Sequence, residues 1–132
     1  MSNLGSCVCG SYMPEERCCG QYLRGEQSPS TALALMRSRY TAFATGKVDY
    51  LFDTYCAAWR STNNKAKFVR EYKQVEWVEL EIVSVLDGGL HHQTGIVEFI
   101  AHYTHNGNSF SLHEKSLFVK EDGLWRYQSA LP

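Results

Sequence analysis

The spacing of apolar residues divides the chain into a helical first half and a strand-rich second half. From Thr31 to Thr45 the apolar side chains recur every three or four residues, which predicts an amphipathic helix capped by Ser30 and ended by Gly46. A second, shorter stripe follows at the same spacing, formed by Val48, Leu51, Phe52, Tyr55 and Cys56. A third helix is predicted to run from an Asn64 cap to about Val75. The first half of the chain therefore supplies three helices.

From Glu76 onward the apolar period changes to two, which predicts four strands. The dipeptides Asn106-Gly107 and Asp122-Gly123 each favour a two-residue type I′ hairpin loop, so they fix two registers. The predicted cross-strand pairs are Tyr103–Phe110, Ala101–Leu112, Phe99–Glu114, Val97–Ser116, Phe118–Tyr127 and Lys120–Trp125. These registers gather the aromatic side chains on one face of the sheet. On the other face they place Glu98 opposite Lys115, a favourable charge pair.

These elements predict an α+β fold in which three helices pack on a curved, four-stranded antiparallel sheet, a cone-like arrangement. The chain has 132 residues with 44% hydrophobic content, which is enough for one core and a small appendage. Loop-forming residues between Gln21 and Ser30 mark the predicted boundary. Residues 1–27 should therefore form an N-terminal appendage with its linker, and residues 28–132 the cone.

The overall charge and hydropathy give no direct signal for a nucleic-acid or membrane partner, although local charged patches are left open. The formal net charge is −1, so the chain lacks the overall basic field that draws nucleic acid or an anionic membrane. It has no run of eighteen apolar residues, which a membrane-spanning helix needs, and no signal-peptide pattern at its start. We therefore expect a cytoplasmic protein without a membrane partner.

Four of the five cysteines, Cys7, Cys9, Cys18 and Cys19, fall within thirteen residues. A turn-forming segment between the two pairs reverses the chain, so that the four sulfurs converge. Zn²⁺ prefers four thiolates at about 2.3 Å in a tetrahedron, which predicts one structural zinc ion in a small knuckle. A shell of four thiolates leaves no open coordination position for catalysis.

Two other uses of clustered cysteines are disulfide bonding and redox catalysis. Disulfides are usual in small secreted chains, but adjacent cysteines such as Cys18 and Cys19 bond each other only through a strained ring. A redox pair more often has the spacing C-x-x-C, which this segment lacks. Metal binding accounts for the spacing better than either alternative.

The chain reads Cys-Val-Cys-Gly-Ser from Cys7 and Cys-Cys-Gly from Cys18, with eight residues between Cys9 and Cys18. This pattern resembles the SEC-C motif. This zinc-binding module is named from the tail of the SecA translocation ATPase. Val8 and Tyr12 stand where the motif usually has proline and glycine, and neither position supplies a ligand. The segments M-R-S-R-Y-T-A-F from Met36 and H-E-K-S-L-F from His113 resemble the uncharacterised YchJ-like family, and the resemblance covers nearly the whole chain. The second SEC-C motif that members often carry does not follow before Pro132.

The resemblance implies that the middle region has the cone-shaped fold of nuclear transport factor two, which hosts both enzymes and plain binding modules. The SEC-C motif of the ATPase is linked with docking to a chaperone and the ribosome. We therefore expect an adaptor or binding module rather than an enzyme, with a knuckle that contacts a protein or ribosome-associated partner. The predicted contact surface is a mixed polar and apolar tip formed by Tyr12, Met13, Pro14, Glu15, Glu16 and Arg17.

The predicted register places two polar residues, Glu114 and Ser116, on the apolar face of the sheet. A buried, ionised carboxylate needs a cation, and the first helix offers Arg37 and Arg39 on either flank of its apolar stripe. One interpretation is an internal ion pair that orients the helix on the sheet. The other is a pocket for a small polar ligand, lined by Glu114, Ser116, Tyr127 and one or both arginines. A small-molecule binding protein or enzyme is therefore the alternative to an adaptor.

The outer face of the predicted sheet carries three aliphatic side chains, Ile100, Leu117 and Val119. Such a face is usually covered in the functional molecule. We expect either a homodimer through this face or cover from another element.

Overall fold

The computed structural model describes residues 6–132, so residues 1–5 of the predicted appendage lie outside the described part. The helices are α1 (Cys19–Leu23), α2 (Ala32–Thr45), α3 (Val48–Asp53), α4 (Ala57–Ser61) and α5 (Lys65–Glu71). The strands are β1 (Glu76–Asp87), β2 (Thr94–His105), β3 (Asn108–Glu121) and β4 (Leu124–Leu131). The predicted α+β fold with four antiparallel strands is confirmed, although residues 6–132 contain five α-helices where three were predicted.

Helix α2 is bounded by a capping residue at its start and a glycine at its end. The Thr31 hydroxyl accepts a hydrogen bond from the Ala34 backbone N–H at 3.0 Å, and Gly46 ends the helix with a φ of 74°. The prediction that Ser30 caps this helix is wrong by one residue. Ser30 lies outside the helix, and its carbonyl oxygen accepts a hydrogen bond from Trp125 Nε1 at 3.1 Å.

The second predicted stripe does not form one helix, because Val48, Leu51 and Phe52 lie in α3 whereas Tyr55 and Cys56 lie in the short segment between α3 and α4. The Cys56 N–H donates to the Tyr127 carbonyl at 2.9 Å, and the Tyr127 N–H donates to the Thr54 carbonyl at 2.8 Å. Because these backbone groups bond to β4, they are not available to continue a helix.

Helix α5 has the predicted Asn64 cap but ends at Glu71, earlier than predicted. None of the helices within residues 6–132 has the length and apolar content that crossing a membrane requires.

The four strands form one sheet in the order β1-β2-β3-β4, each antiparallel to the next. The two hairpin turns have positive φ at Asn106 (53°) and Asp122 (52°), as type I′ turns require. All six predicted cross-strand pairs occur, including Phe99 opposite Glu114. Since side chains alternate between faces along a strand, this register places Glu114 on the same face as the core.

The core lies between α2 and this face of the sheet. Its fully buried members include Leu35, Val97, Phe118, Trp125 and Cys9. Phe110 and Leu112 were also predicted on the core face, but they remain 44% and 41% exposed. Leu112 borders an open cleft instead of a packed helix, which explains its exposure.

The N-terminal end of α2 touches the sheet at a point made of three small residues. The Ala32 N–H donates to the Gly88 carbonyl at 2.9 Å, and a Cβ added to Gly88 would lie 2.7 Å from the Ala32 Cβ. A Cβ added to Gly95 would lie 2.5 Å from the Gly88 Cα. Only residues without a larger side chain allow the helix and the β1–β2 hairpin to approach this closely.

The outer face of the sheet is polar around Glu98. Lys115 lies opposite Glu98, as predicted, but the Glu98 carboxylate contacts two other residues, His113 Nε2 at 2.7 Å and the Ser84 hydroxyl at 3.3 Å. The hydrogen bond with His113 lowers the pKa of Glu98 most, with smaller effects from Ser84 and Lys115. The register prediction is therefore confirmed, while the main partner of the carboxylate is a histidine.

Candidate metal centre and ligand cleft

The four predicted ligand cysteines converge. Their Sγ atoms all lie within 4.8 Å of one another, with 3.7 Å between Cys9 and Cys18 and 4.0 Å between Cys18 and Cys19. A tetrahedron with metal–sulfur bonds of about 2.3 Å has sulfur–sulfur edges of about 3.8 Å. The spacing of the sulfurs therefore fits a tetrahedral metal ion held by Cys7, Cys9, Cys18 and Cys19.

The backbone of the N-terminal segment presents the two cysteine pairs to each other. The Cys7 N–H donates to the Met13 carbonyl at 2.7 Å, and Ser6 pairs with Pro14 in an isolated antiparallel bridge. Gly10, with a φ of 87°, supplies the left-handed conformation that this tight reversal needs. The second pair follows a single 3-10 turn, after which α1 begins at Cys19. The predicted reversal between the pairs is confirmed.

Polar groups surround the sulfurs. The Ser11 hydroxyl lies 3.1 Å from Cys18 Sγ, and the Thr41 hydroxyl lies 3.6 Å from Cys7 Sγ. Burial raises the pKa of the Cys18 thiol, and negative charge on the neighbouring cysteines raises it further. Four thiolates at this spacing repel one another unless a cation lies between them, so the donor set fits a divalent metal.

Arg37 lies beside the cysteines, which corrects its predicted place in the pocket. Its Nη1 donates to the Cys9 carbonyl at 2.7 Å and lies 3.9 Å from Cys9 Sγ. This contact ties the cysteine segment to α2.

Ser11 and Thr41 were not predicted as neighbours of the sulfurs. For Thr41 the sequence offers no local signal, because this residue is 34 residues from Cys7.

A second site, which we call the inner cavity, lies between α2 and β3–β4 and has a volume of about 170 Å³. Its polar walls are Arg39, Glu114, Ser116 and Tyr127. Glu114 Oε2 accepts hydrogen bonds from the Ser116 hydroxyl at 2.6 Å and the Tyr127 hydroxyl at 2.8 Å. Burial raises the pKa of Tyr127, and the acceptor Glu114 raises it further, so this phenol stays a donor. Glu114 thus faces the interior, as predicted.

The predicted ion pair between Glu114 and an arginine is wrong. Arg39 is 4% exposed, and its Nη1 donates to the Leu51 carbonyl at 2.9 Å and to the Thr54 hydroxyl at 2.6 Å. Its guanidinium stacks between the rings of Tyr55 and Tyr127, 4.7 Å from each centroid. Within residues 6–132 no carboxylate forms an ion pair with Arg39. Burial lowers the pKa of Arg39.

A larger opening, which we call the outer cleft, has a volume of about 510 Å³. Most of its wall is aromatic, with Phe43, Tyr55, Phe68, Tyr72, Trp77 and Tyr103. Phe43, Tyr55 and Leu112 line both the outer cleft and the inner cavity, so the two are neighbours. Glu71 and Lys73 also line the outer cleft, so its charges balance. This cleft was not predicted, because its aromatic residues come from separate parts of the chain.

Comparison with known proteins identifies the family. Residues 31–130 match the middle domain of YchJ, which is described as NTF2-like. The chain belongs to the YchJ family. A UPF0225 protein of Streptomyces coelicolor is 40% identical over 121 residues, which is 92% of this chain and 90% of that protein. The predicted resemblance to the YchJ-like family is therefore confirmed.

Two solved structures resemble the YchJ-family fold described above, and both are SEC-C motif-containing proteins. The solution structure of one from Rhodopseudomonas palustris has a TM-score of 0.83 and 32% identity, and the match covers 96% of this chain and 97% of that chain. The crystal structure of one from Psychrobacter arcticus has a TM-score of 0.77 and 25% identity, covering 95% and 80%. Each match therefore extends over nearly the whole of this chain.

Proposed function

We propose that the cone of this YchJ-family protein binds a small molecule in the outer cleft and inner cavity. The observation that carries the proposal is the convergence of four polar side chains, Arg39, Glu114, Ser116 and Tyr127, at the end of an aromatic cleft. Ligand sites typically combine an apolar wall with a few placed polar groups, in pockets of roughly 300–1,000 Å³. The outer cleft falls within that range.

Binding of the fluorescent dye 8-anilinonaphthalene-1-sulfonate tests this proposal. Leu112→Trp adds bulk where the two openings meet, and the partly exposed side chain leaves room for the protein to fold. We expect this variant to bind the dye at least tenfold more weakly than the wild-type protein. Leu86→Trp, at a 60% exposed position of β1 that lines neither opening, is the matched control and should bind normally. Equal dye binding by all three proteins would contradict the proposal.

A second candidate function is that of an adaptor, as expected from the sequence. It is favoured by three exposed apolar residues beside the cysteines, Val8 (46% exposed), Tyr12 (84%) and Met13 (47%). Exposed apolar groups on a short, stapled loop suit contact with another protein. Glu15 and Glu16 follow them, so the partner should offer an apolar groove bordered by basic side chains, on a free protein or on a ribosome-associated one.

Site-specific photocrosslinking tests the adaptor role in the full chain. A photoreactive phenylalanine analogue at Tyr12 should give one discrete adduct in cells, whereas the same analogue at exposed Leu90 should not. Met13→Asp should abolish the adduct from position 12. The same adducts from both positions would indicate random contacts and count against an adaptor. Truncation before Ser28 is a poor test, because Cys7, Cys9 and Cys19 belong to the core.

For the metal we propose Zn²⁺ with a structural role, because four thiolates in a tetrahedron suit this ion and leave no open position. Elemental analysis of protein made in zinc-replete medium should give one equivalent per chain, and less than half an equivalent would contradict the assignment. The cysteines of residues 6–132 form no disulfide, which suits the reducing cytoplasm that we propose as the location.

The outer sheet face remains our proposal for self-association. Ile100, Leu117 and Val119 are half-buried there, and Leu117 lies opposite Ile96. Light scattering should give the mass of a dimer, and a monomer at the highest soluble concentration would contradict the proposal.

A further inference from the structure

We infer that the inner cavity recognises the head group of a free α-amino acid whose side chain is aromatic or apolar. The inference rests on the ligand-binding role proposed for the cone and names the ligand class. It follows from two opposite charges in one small cavity that do not neutralise each other.

Arg39 provides the site for the carboxylate. The Arg39 residue is only 4% exposed, and the two hydrogen bonds that it donates to Leu51 and Thr54 both use Nη1. Both acceptors, the Leu51 carbonyl and the Thr54 hydroxyl, are neutral. A buried cation with only neutral acceptors is costly, and a planar guanidinium is suited to hold a carboxylate with two parallel hydrogen bonds. The remaining N–H groups of Arg39 are the donors for that contact.

Glu114 provides the site for the ammonium group. Both protein donors, Ser116 and Tyr127, bond to Oε2, and no donor within residues 6–132 bonds to Oε1. Hydroxyl donors hold the carboxylate in place without cancelling its charge. An ammonium group, with three N–H donors and no acceptor, matches the remaining oxygen.

Tyr127 sets the distance between the two charges. The face of its ring stacks on the Arg39 guanidinium, while its hydroxyl donates to Glu114. The two charges are therefore held apart along one phenol side chain. A ligand with a single charge would satisfy one of them and repel or ignore the other, whereas a zwitterion satisfies both.

The side chain of the ligand would point toward the outer cleft. Phe43, Tyr55 and Leu112 border both openings, so a group leaving the inner cavity meets aromatic walls at once. Aromatic pairs add binding energy beyond the burial of their area. Aromatic amino acids therefore fit this path better than small or charged ones.

Three compounds with the same phenyl body test the inference by isothermal titration calorimetry. They are L-phenylalanine, 3-phenylpropionate, which lacks the ammonium, and 2-phenylethylamine, which lacks the carboxylate. We expect L-phenylalanine to bind at least tenfold more tightly than either analogue. An analogue that binds within threefold of L-phenylalanine would overturn the inference. So would a protein that binds the dye in the cleft while none of the three compounds displaces it, although ligand binding by the cone would then stand. If the wild-type protein does not bind the dye at all, both the amino-acid inference and the proposal of ligand binding by the cone are overturned.

Glu114→Gln separates recognition from a purely structural role. Glutamine keeps the shape and an acceptor for Ser116 and Tyr127 but removes the charge. We expect L-phenylalanine to bind roughly 10- to 100-fold more weakly to this variant, while 3-phenylpropionate binds as well as before or more tightly. Glu98→Gln, on the opposite face of the sheet, is the control and should change neither. An equal loss for both compounds would show that Glu114 only supports the cavity. The wild-type comparison tests the inference even if the variant fails to fold.

Discussion

Glu114, Ser116 and Tyr127 form a single hydrogen-bonded cluster whose geometry follows from strand pairing. Glu114 and Ser116 are two residues apart on β3, so their side chains share a face, and Tyr127 reaches them from β4. The carboxylate is thus held by hydroxyl groups instead of an arginine. The cost of losing this carboxylate is therefore set by the hydroxyl donors that it leaves behind.

Replacing Glu114 with alanine should lower the free energy of unfolding by about 1–3 kcal/mol. The Ser116 hydroxyl is fully buried and would lose its acceptor in the fold. Urea denaturation measures the change. Glu71→Ala, at an exposed position of α5, should change the free energy by less than about 0.5 kcal/mol. Equal effects of the two substitutions would contradict the buried cluster.

Alkaline pH should destabilise the protein through its buried tyrosines. Burial raises the pKa of Tyr40 to about 12 and that of Tyr50 to about 12, above the usual value of about 10. The fold thus favours the neutral phenol, so its stabilising contribution is complete below about pH 10 and is lost as the pH rises from 10 through 12.

Urea midpoints across this pH range measure the loss. Tyr40→Phe removes one ionisable group, and the resulting loss between pH 10 and 12 should be smaller than in the wild-type protein. Identical pH profiles of the two proteins would show that Tyr40 does not contribute.

At the scale of the elements, short polar sequences at the ends of helices and strands predicted the hairpin registers and, to within one residue, the start of α2. The dipeptides at Asn106 and Asp122 set two hairpin registers correctly, because a type I′ turn allows only one pairing of the strands it joins. The cap of α2 was misplaced by one residue, because Ser30 and Thr31 are both suitable cap residues. Only the backbone conformation distinguishes them.

Thr31→Ala should therefore destabilise the protein by about 1 kcal/mol, since it removes the acceptor for the Ala34 N–H. Ser30→Ala is the matched control. The contact that Ser30 makes with Trp125 uses its backbone carbonyl, which alanine keeps. Thermal unfolding of the two variants compares them directly, and a larger loss for Ser30→Ala would reverse the assignment of the cap.

The sequence could not assign the two arginines of α2. Arg37 and Arg39 are only two residues apart, and each side chain is long enough to reach a neighbour on either flank of the helix. Arg37 reaches Cys9, and Arg39 reaches the end of α3. Both partners are held by tertiary packing, so hydrophobic periodicity carries no information about them. For the same reason the outer cleft was not predicted, since its aromatic residues come from separate elements.

At the scale of the whole molecule, the cysteine segment and the cone share one core. Cys7, Cys9 and Cys19 pack in the same buried cluster as Leu35 of α2 and Trp125 of β4. The boundary at residue 27 stays a prediction. The shared core determines what loss of the metal should do to the fold. An appendage could unfold alone, whereas a segment that closes one end of the core exposes that core when it unfolds.

Removing the metal with a strong chelator should therefore lower the melting temperature of the whole domain in a single transition. Near-ultraviolet circular dichroism reports on the packing of the aromatic side chains, the buried Trp125 among them, and should change together with the far-ultraviolet signal. Cys9→Ser should have the same effect, whereas Cys56→Ala, a buried cysteine outside the cluster, should leave the metal content unchanged. An unaltered near-ultraviolet spectrum after complete metal removal would show that the segment unfolds independently.

The close contact of Ala32 with Gly88 and Gly95 fixes the N-terminal end of α2 against the sheet. From Ala32, which makes this contact, Arg39 lies seven residues further along α2, about 10 Å by helix geometry. A methyl group at Gly95 would lie 2.5 Å from the Gly88 Cα and 3.0 Å from the Ala32 Cβ, so the hairpin and the near end of α2 would have to shift. We therefore expect Gly95→Ala to alter the shape of the inner cavity, although Gly95 does not line it.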